Sequence, residues 1–247
     1  MLSGRLRAFA AALALAPAAG LLIASTPAQA ATDIKVTSVS VSKSVVVLSS
    51  KAGCTGAVTF TAKLNKAMPA TGYSFAGVGV DIYEPGNSSK PRDGLAFKRV
   101  GSTNTYQGTV KLCGRYKAGK FTAKVYGALV PTSGDAEFTN VITKAISLKR
   151  PSKVTLNAAP EPVVKGKKLT AAGVLKSDGK LLAKTSVKIY FKPAGKTTWA
   201  YKGTAVTNAK GAFSKKFTAT RTGTWKVVYA GTGTRNTASA TDAVKVK

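Results

Sequence analysis

Val187-Lys188-Ile189-Tyr190-Phe191-Lys192-Pro193 puts Val187, Ile189 and Phe191 on one side of an extended chain and Lys188 and Lys192 on the other, then stops at a proline. That period of two is the signature of a strand with one buried and one solvated face. The same text occurs in the first half of the chain, one residue shorter, as Val80-Asp81-Ile82-Tyr83-Glu84-Pro85. A second pair follows at a similar distance downstream, Gly119-Lys120-Phe121-Thr122-Ala123-Lys124-Val125-Tyr126 and Gly223-Thr224-Trp225-Lys226-Val227-Val228-Tyr229. Agreement in both chemistry and spacing marks an internal duplication.

Segments of the same period extend outward from these blocks. Val58-Phe60-Ala62-Leu64, Tyr106-Gly108-Val110-Leu112 and Leu169-Ala171-Gly173-Leu175 each gather their apolar members on one face. Lys63, Asp81, Lys111, Lys124, Lys188, Lys192 and Lys226 are expected on the solvated face. Turn signals separate the segments, with Asp93-Gly94 and Asp178-Gly179 read as turn dipeptides. No helical period occurs after residue 30, so the chain is expected to be all-β, a sandwich or a barrel. One segment breaks the rule: Phe213, Lys215 and Phe217 share a parity, which sends a lysine toward the core unless a bulge near Lys215 or Lys216 resets it. The seam between the copies is Lys149-Arg150-Pro151-Ser152, placing domains at 31–149 and 152–247.

Residues 1–30 read as a signal peptide, with Arg5 and Arg7 before an apolar run from Ala8 to Ala24 and a small-x-small site at Ala28-Gln29-Ala30. No second apolar stretch of that length follows, so the mature chain is expected to be secreted, extracellular or wall-associated, without a transmembrane segment. Cys54 and Cys113 are the whole thiol inventory, and an even count in an exported chain predicts a disulfide. In the chain-entropy model such a bridge stabilises by about 4 kcal/mol. Cys54 precedes a strand and Cys113 ends one, which places the bridge at one end of a sandwich.

The second copy carries three further stretches: Pro193-Ala194-Gly195-Lys196-Thr197-Thr198-Trp199, Thr207-Asn208-Ala209-Lys210-Gly211-Ala212-Phe213, and Thr222-Gly223-Thr224-Trp225-Lys226-Val227-Val228-Tyr229-Ala230-Gly231. Together they resemble the bacterial immunoglobulin-like repeat domains of secreted actinobacterial proteins, over residues 153 to 247. The resemblance implies two tandem immunoglobulin-like antiparallel β-sandwiches after the signal peptide. It also implies a hairpin turn at Asn208-Ala209-Lys210-Gly211 and a core aromatic at Trp225. The first copy departs from the pattern in its cysteines and in a longer final hairpin around Pro131-Thr132-Ser133-Gly134-Asp135, and joins it through the internal repeat.

Chemistry is excluded largely by what is missing. With no histidine, no Ser-His-Asp, Cys-His or histidine-zinc scheme is available. Ser40-Val41-Ser42-Lys43 has the spacing of a Ser-x-x-Lys nucleophile motif, but its surroundings alternate as a strand and a companion Lys-Thr-Gly is absent. Asp81 with Glu84, or Asp135 with Glu137, are the only close carboxylate pairs worth weighing for glycoside hydrolysis, and turn and surface roles absorb them. The chain is read as a non-enzyme with no cofactor and no metal site.

What remains is charge. The net charge is +29, and +27 once Arg5 and Arg7 leave with the signal peptide. Lysine predominates over arginine, which suits a diffuse attraction to polyanions more than sequence-specific nucleic-acid reading. The densest positions are Lys149, Arg150, Lys153, Lys165, Lys167, Lys168, Lys215 and Lys216, expected to form a stripe if they converge. The expected partner is an anionic cell-wall polymer or other extracellular polyanion, in an adhesion or envelope-associated role. The alternative is a carbohydrate-binding module using Trp199 and Tyr201, with Trp225 expected inside and Trp199 partly covered.

Overall fold

The computed structural model describes residues 33–49, 53–54 and 56–247. The signal peptide and its cleavage site lie outside the described residues. Among the described residues there are strands and no α-helix, hence no helix long and apolar enough to cross a membrane. They gather into two compact units, one ending at Leu148 and the other made of Lys149–Lys247 together with residues 47–49.

In the first unit the strands are β1 (Val36–Val41), β2 (Val45–Val47), β3 (Gly56–Leu64), β4 (Tyr73–Tyr83), β5 (Asp93–Ala96), β6 (Lys98–Arg99), β7 (Thr105–Leu112), β8 (Gly119–Pro131), β9 (Glu137–Phe138) and β10 (Ile142–Lys149). They form one sheet in the order β1-β3-β7-β6 and another in the order β2-β10-β8-β4-β5, with β9 on β8. The second unit has β11 (Ser152–Val154), β12 (Asn157–Ala159), β13 (Lys168–Ser177), β14 (Lys180–Leu181), β15 (Ser186–Pro193), β16 (Ala200–Val206), β17 (Ala212–Thr218), β18 (Gly223–Tyr229) and β19 (Ala238–Val244). Here β13 pairs β11, β12, β14 and β17, and the other sheet runs β16-β15-β18-β19. Every strand pairing with a stated register is antiparallel, and the chain changes sheets in the order of an immunoglobulin-like sandwich.

The duplicated texts are neighbours in space. Ile82 of β4 lies opposite Ala123 of β8, and the equivalent Ile189 of β15 lies opposite Val227 of β18. Both units therefore pair the same two central strands in the same register, which fixes which side chains face inward. In the second unit Trp225, 4% exposed, projects from β18 into the core. Its ring centroid is 4.9 Å from that of Phe191 in the same sheet and 4.6 Å from that of Phe217 in the opposite one.

Cys54 and Cys113 are disulfide-bonded. Because Gly56 faces Leu112 across β3 and β7, the bridge staples the end of one sheet and does not cross between sheets. The chain after Cys113 is tied down by Tyr116, whose hydroxyl donates to Asp93 Oδ2 at 2.7 Å. Burial, then that hydrogen bond and the charge of Asp93, push the Tyr116 hydroxyl up to about 12. The Arg92 and Arg115 guanidinium groups lie 5.3 and 5.9 Å from its ring centroid.

Three local expectations fail, each for a reason that strand alternation does not encode. Asp81 is 0% exposed instead of solvated. Alternation assigns it to the outer face of β4 correctly, but Tyr126 and Tyr83 are also buried there and roof that face. Tyr126 donates to Asp81 Oδ2 at 2.7 Å, while Asp81 Oδ1 and the Tyr83 hydroxyl have no hydrogen-bond partner among the described residues. Secondly, Asp93-Gly94 is not a turn: the pair lies in β5, with Gly94 opposite Asp81. A Cβ at Gly94 would fall 2.9 Å from Asp81 Oδ1, so the glycine makes room for the buried carboxyl. Thirdly, Asn208-Ala209-Lys210-Gly211 is a turn, closed by Gly211 N–H donating to the Asn208 carbonyl at 2.9 Å, but it joins β16 to β17 in the opposite sheet and so makes no hairpin.

Replacing both cysteines by serine should lower the stability of the first unit by about 2–4 kcal/mol, read as an earlier urea or thermal transition for that unit alone. Asp81 should shape the pH dependence of the same transition. Burial pushes its carboxyl above the ordinary aspartate value, outweighing the Tyr126 hydrogen bond and the charge of Lys124, which pull it down. An acid raised in the folded state contributes most below its unfolded value, about 3.9, and that contribution is lost as the pH rises through the folded one. Thermal unfolding from acid to neutral pH should therefore show Asp81→Asn gaining on the parent as the pH rises. A gap that does not change with pH would show that Asp81 is not the source.

Candidate functional site

On the outer face of the β16-β15-β18-β19 sheet, the period of two sends Lys188, Tyr190 and Lys192 of β15 and Lys226 of β18 to the same side. Register then aligns them. Tyr190 has Tyr201 opposite on one flank and Lys226 opposite on the other. The Tyr190 and Tyr201 rings meet edge-on at 5.6 Å, and Tyr201 is 56% exposed with its hydroxyl 2.8 Å from Thr204 Oγ1. Trp199, half-buried just before β16, receives two ammonium groups: Lys226 Nζ at 4.5 Å and Lys192 Nζ at 5.1 Å from its ring centroid. Lys226 also stands 5.8 Å from the Tyr190 centroid. Cation–π attraction thus holds lysine charges over aromatic faces on an open sheet surface.

This face joins two signals that the sequence keeps apart. Trp199 and Tyr201 belong to it, whereas none of the lysines singled out by local density does. Its own lysines, Lys188, Lys192 and Lys226, carry a weaker signal in the sequence, an outward parity on the two duplicated strands. Recognising them as partners of Trp199 requires the β15–β18 register.

The dense lysines themselves are not gathered into one stripe. Lys165, Lys167, Lys168 and Lys216 cluster at one end of β13, where Lys168 lies opposite Thr218 and Thr170 opposite Lys216. The Lys168 ammonium donates to Thr218 Oγ1 at 2.8 Å. Lys153 lies at the other end, opposite Lys176 on β13. Lys176 lies eight positions along the strand from Lys168, about 26 Å at an extended rise. Lys149 and Arg150 are half-buried, and Arg150 Nε lies 3.8 Å from Asp178 Oδ2.

Lys215 is turned inward. The β13–β17 ladder is regular from Lys168/Thr218 to Val174/Ala212, so the expected bulge near Lys215 or Lys216 is absent and Lys215 shares the face of Phe213 and Phe217. The irregularity lies across the sandwich: the β15–β16 register shifts between Ile189 and Tyr190, leaving Lys202 as the extra residue beside Gly203. Lys215 runs to that point and donates from Nζ to the Thr204 carbonyl at 2.9 Å. A long aliphatic stem with a terminal charge can lie along a core edge when its head finds a carbonyl. Among the described residues no group of three or more histidine, cysteine, aspartate or glutamate side chains is placed to hold a metal ion.

No protein-family model matches the chain, and no curated protein matches it. Solved structures do align. A marsupial T cell receptor aligns at 12% identity and TM-score 0.40, over 86% of this chain and 73% of the receptor chain. Fibronectin(III)-like modules of CbhA from Clostridium thermocellum align at 14% and 0.33, over 85% and 93%. A tetra-tandem repeat from the extending region of a large adhesion protein aligns at 13% and 0.34, over 87% of this chain and 48% of that one. At such identities and scores they carry nothing about activity.

Gly203 has φ +143°, and a Cβ there would fall 2.6 Å from Lys215 Nζ. Gly203→Ala should therefore destabilise the second unit by about 1–3 kcal/mol. Adding Lys215→Ala should relieve the steric share and leave the backbone share, a non-additive cycle readable by urea denaturation.

Proposed function

We propose that the chain is an exported, non-catalytic immunoglobulin-like module that adheres to anionic polymers of the cell envelope, with the lysine and aromatic face of the second unit as its principal contact. The observation that carries this reading is the pair of ammonium groups, Lys192 and Lys226, seated over Trp199 beside the exposed Tyr201. A +29 chain attracts polyanions from any direction, but a diffuse field has no preferred face. Ring-held lysines differ from free ones, because their heads are partly positioned before a partner arrives and lose less freedom on binding. Each phosphate or carboxylate they meet releases a counterion, which makes the attachment strong at low salt and weak at high salt.

The aromatic residues support a sugar-containing polymer over a bare polyphosphate, since Tyr201 offers an open ring for a sugar to stack on. Neutral carbohydrate alone is the weaker reading. Its natural platform, the Trp199 ring, already carries lysine ammonium groups, which a neutral sugar would have to share or displace. The absence of histidine supports a role without turnover.

Retention of the mature chain on immobilised teichoic acid should be complete at low salt, be lost by a few hundred millimolar, and resist soluble neutral sugars. The variant Lys188→Gln/Lys192→Gln/Lys226→Gln should elute at distinctly lower salt than Lys165→Gln/Lys167→Gln/Lys168→Gln, which removes the same charge elsewhere. Equal elution of the two variants would reduce the effect to net charge. Elution by neutral glycan at high salt would favour the carbohydrate-binding alternative.

A further inference from the structure

The second sandwich is not closed at the end where β16 and β17 lie near β18. A cavity of about 230 Å³ opens there, smaller than pockets for drug-sized ligands. Its apolar lining comes from both sheets: Leu169 of β13, Phe217 of β17, Phe191 of β15 and Trp225 of β18. Lys202 and Arg221, both exposed, are also among its lining residues. None of the lining residues is acidic.

The cation at β16 is there because of a backbone irregularity. In an unbroken ladder Lys202 would alternate outward with Lys188 and Tyr190. The shift between Ile189 and Tyr190 makes Lys202 the unpaired residue, so Tyr201 faces Tyr190 on the outer surface while Lys202 lines the cavity. Re-aiming a side chain is a recurrent use of such bulges. Two residues further on, the inward Lys215 ends on the Thr204 carbonyl, a partner that satisfies a donor without cancelling the charge. An aromatic floor and a cationic mouth have the complementarity of a molecule with an apolar body and one negative head.

We infer that this end of the second sandwich binds a small amphipathic carboxylate, a short acyl chain or an aromatic acid, with its apolar part against Trp225 and Phe217 and its carboxylate on Lys202 and Arg221. A single charge suits the site better than a dianion, because the head must sit at the rim of an apolar cavity and loses part of its hydration there. Charge-assisted hydrogen bonds from an ammonium and a guanidinium supply the replacement. The inference is independent of the polyanion reading, which uses the opposite face of the same sheet.

The test uses the full mature chain carrying Trp199→Phe, so that Trp225 is the only tryptophan. Titration with octanoate should give a saturable change in Trp225 emission, and octan-1-ol, with the same chain and no charge, should bind at least about tenfold more weakly. The double variant Lys202→Gln/Arg221→Gln alters exposed residues only, so it should keep the parent unfolding temperature. It should lose about tenfold in octanoate affinity while its octan-1-ol binding is unchanged. The inference is overturned by no saturable response up to about 10 mM octanoate, a concentration beyond weak millimolar binding. It is equally overturned if octan-1-ol binds as well as octanoate, which would make the cavity a plain apolar void, or if the double variant binds octanoate like its parent.

Discussion

Trp225 is the contact on which the second sandwich depends. Its indole lies between Phe191 of its own sheet and Phe217 of the opposite one, with centroids 4.9 and 4.6 Å away. A buried aromatic of this size contributes more than any other single side chain to a core of mostly small and branched residues, and truncating such a residue typically costs about 3–5 kcal/mol. The three rings meet in tilted geometry beside the cavity that Lys202 and Arg221 also line. The position equivalent to Trp225 in the first copy is Phe121, smaller and fully buried, with Tyr116 at 6.4 Å.

Few acidic residues are left to balance the lysines, because most of them have structural employment. Asp81 accepts from Tyr126, Asp93 from Tyr116 and Asp242 from the Ala158 N–H. Asp33, Glu84 and Asp178 pair with Lys66, Arg92 and Arg150. The positive excess is therefore expressed on strand faces, where lysine also guards against edge-to-edge pairing. The seating of Lys192 and Lys226 on Trp199 separates one face from the general positive skin.

One irregularity at Lys202-Gly203 serves both faces of its sheet. It turns Tyr201 onto Tyr190, brings Lys202 to the cavity, and leaves at Gly203 the space that Lys215 occupies. The odd parity of Phe213, Lys215 and Phe217 was visible in the sequence, and so was the need for some accommodation. Its place was not, because the strain is relieved on a strand of the other sheet, ten or so residues away in sequence and adjacent only after the sandwich forms.

By itself the sequence determined the all-β class, the duplicated strands, the cysteine pair and the inward place of Trp225, because period-two alternation and thiol count are local or countable properties. It also determined that the charge is overwhelmingly positive. Tertiary structure decided which faces that charge occupies. Asp81 lies on the expected face of β4 but is roofed by Tyr126 and Tyr83, since alternation assigns a side and cannot tell whether water reaches it. The dense lysines disperse because sequence neighbours at the two ends of β13 are a full strand length apart. Trp199, Lys192 and Lys226 converge because a ladder register, set by the core residues on the opposite side of the same strands, carries them to one place.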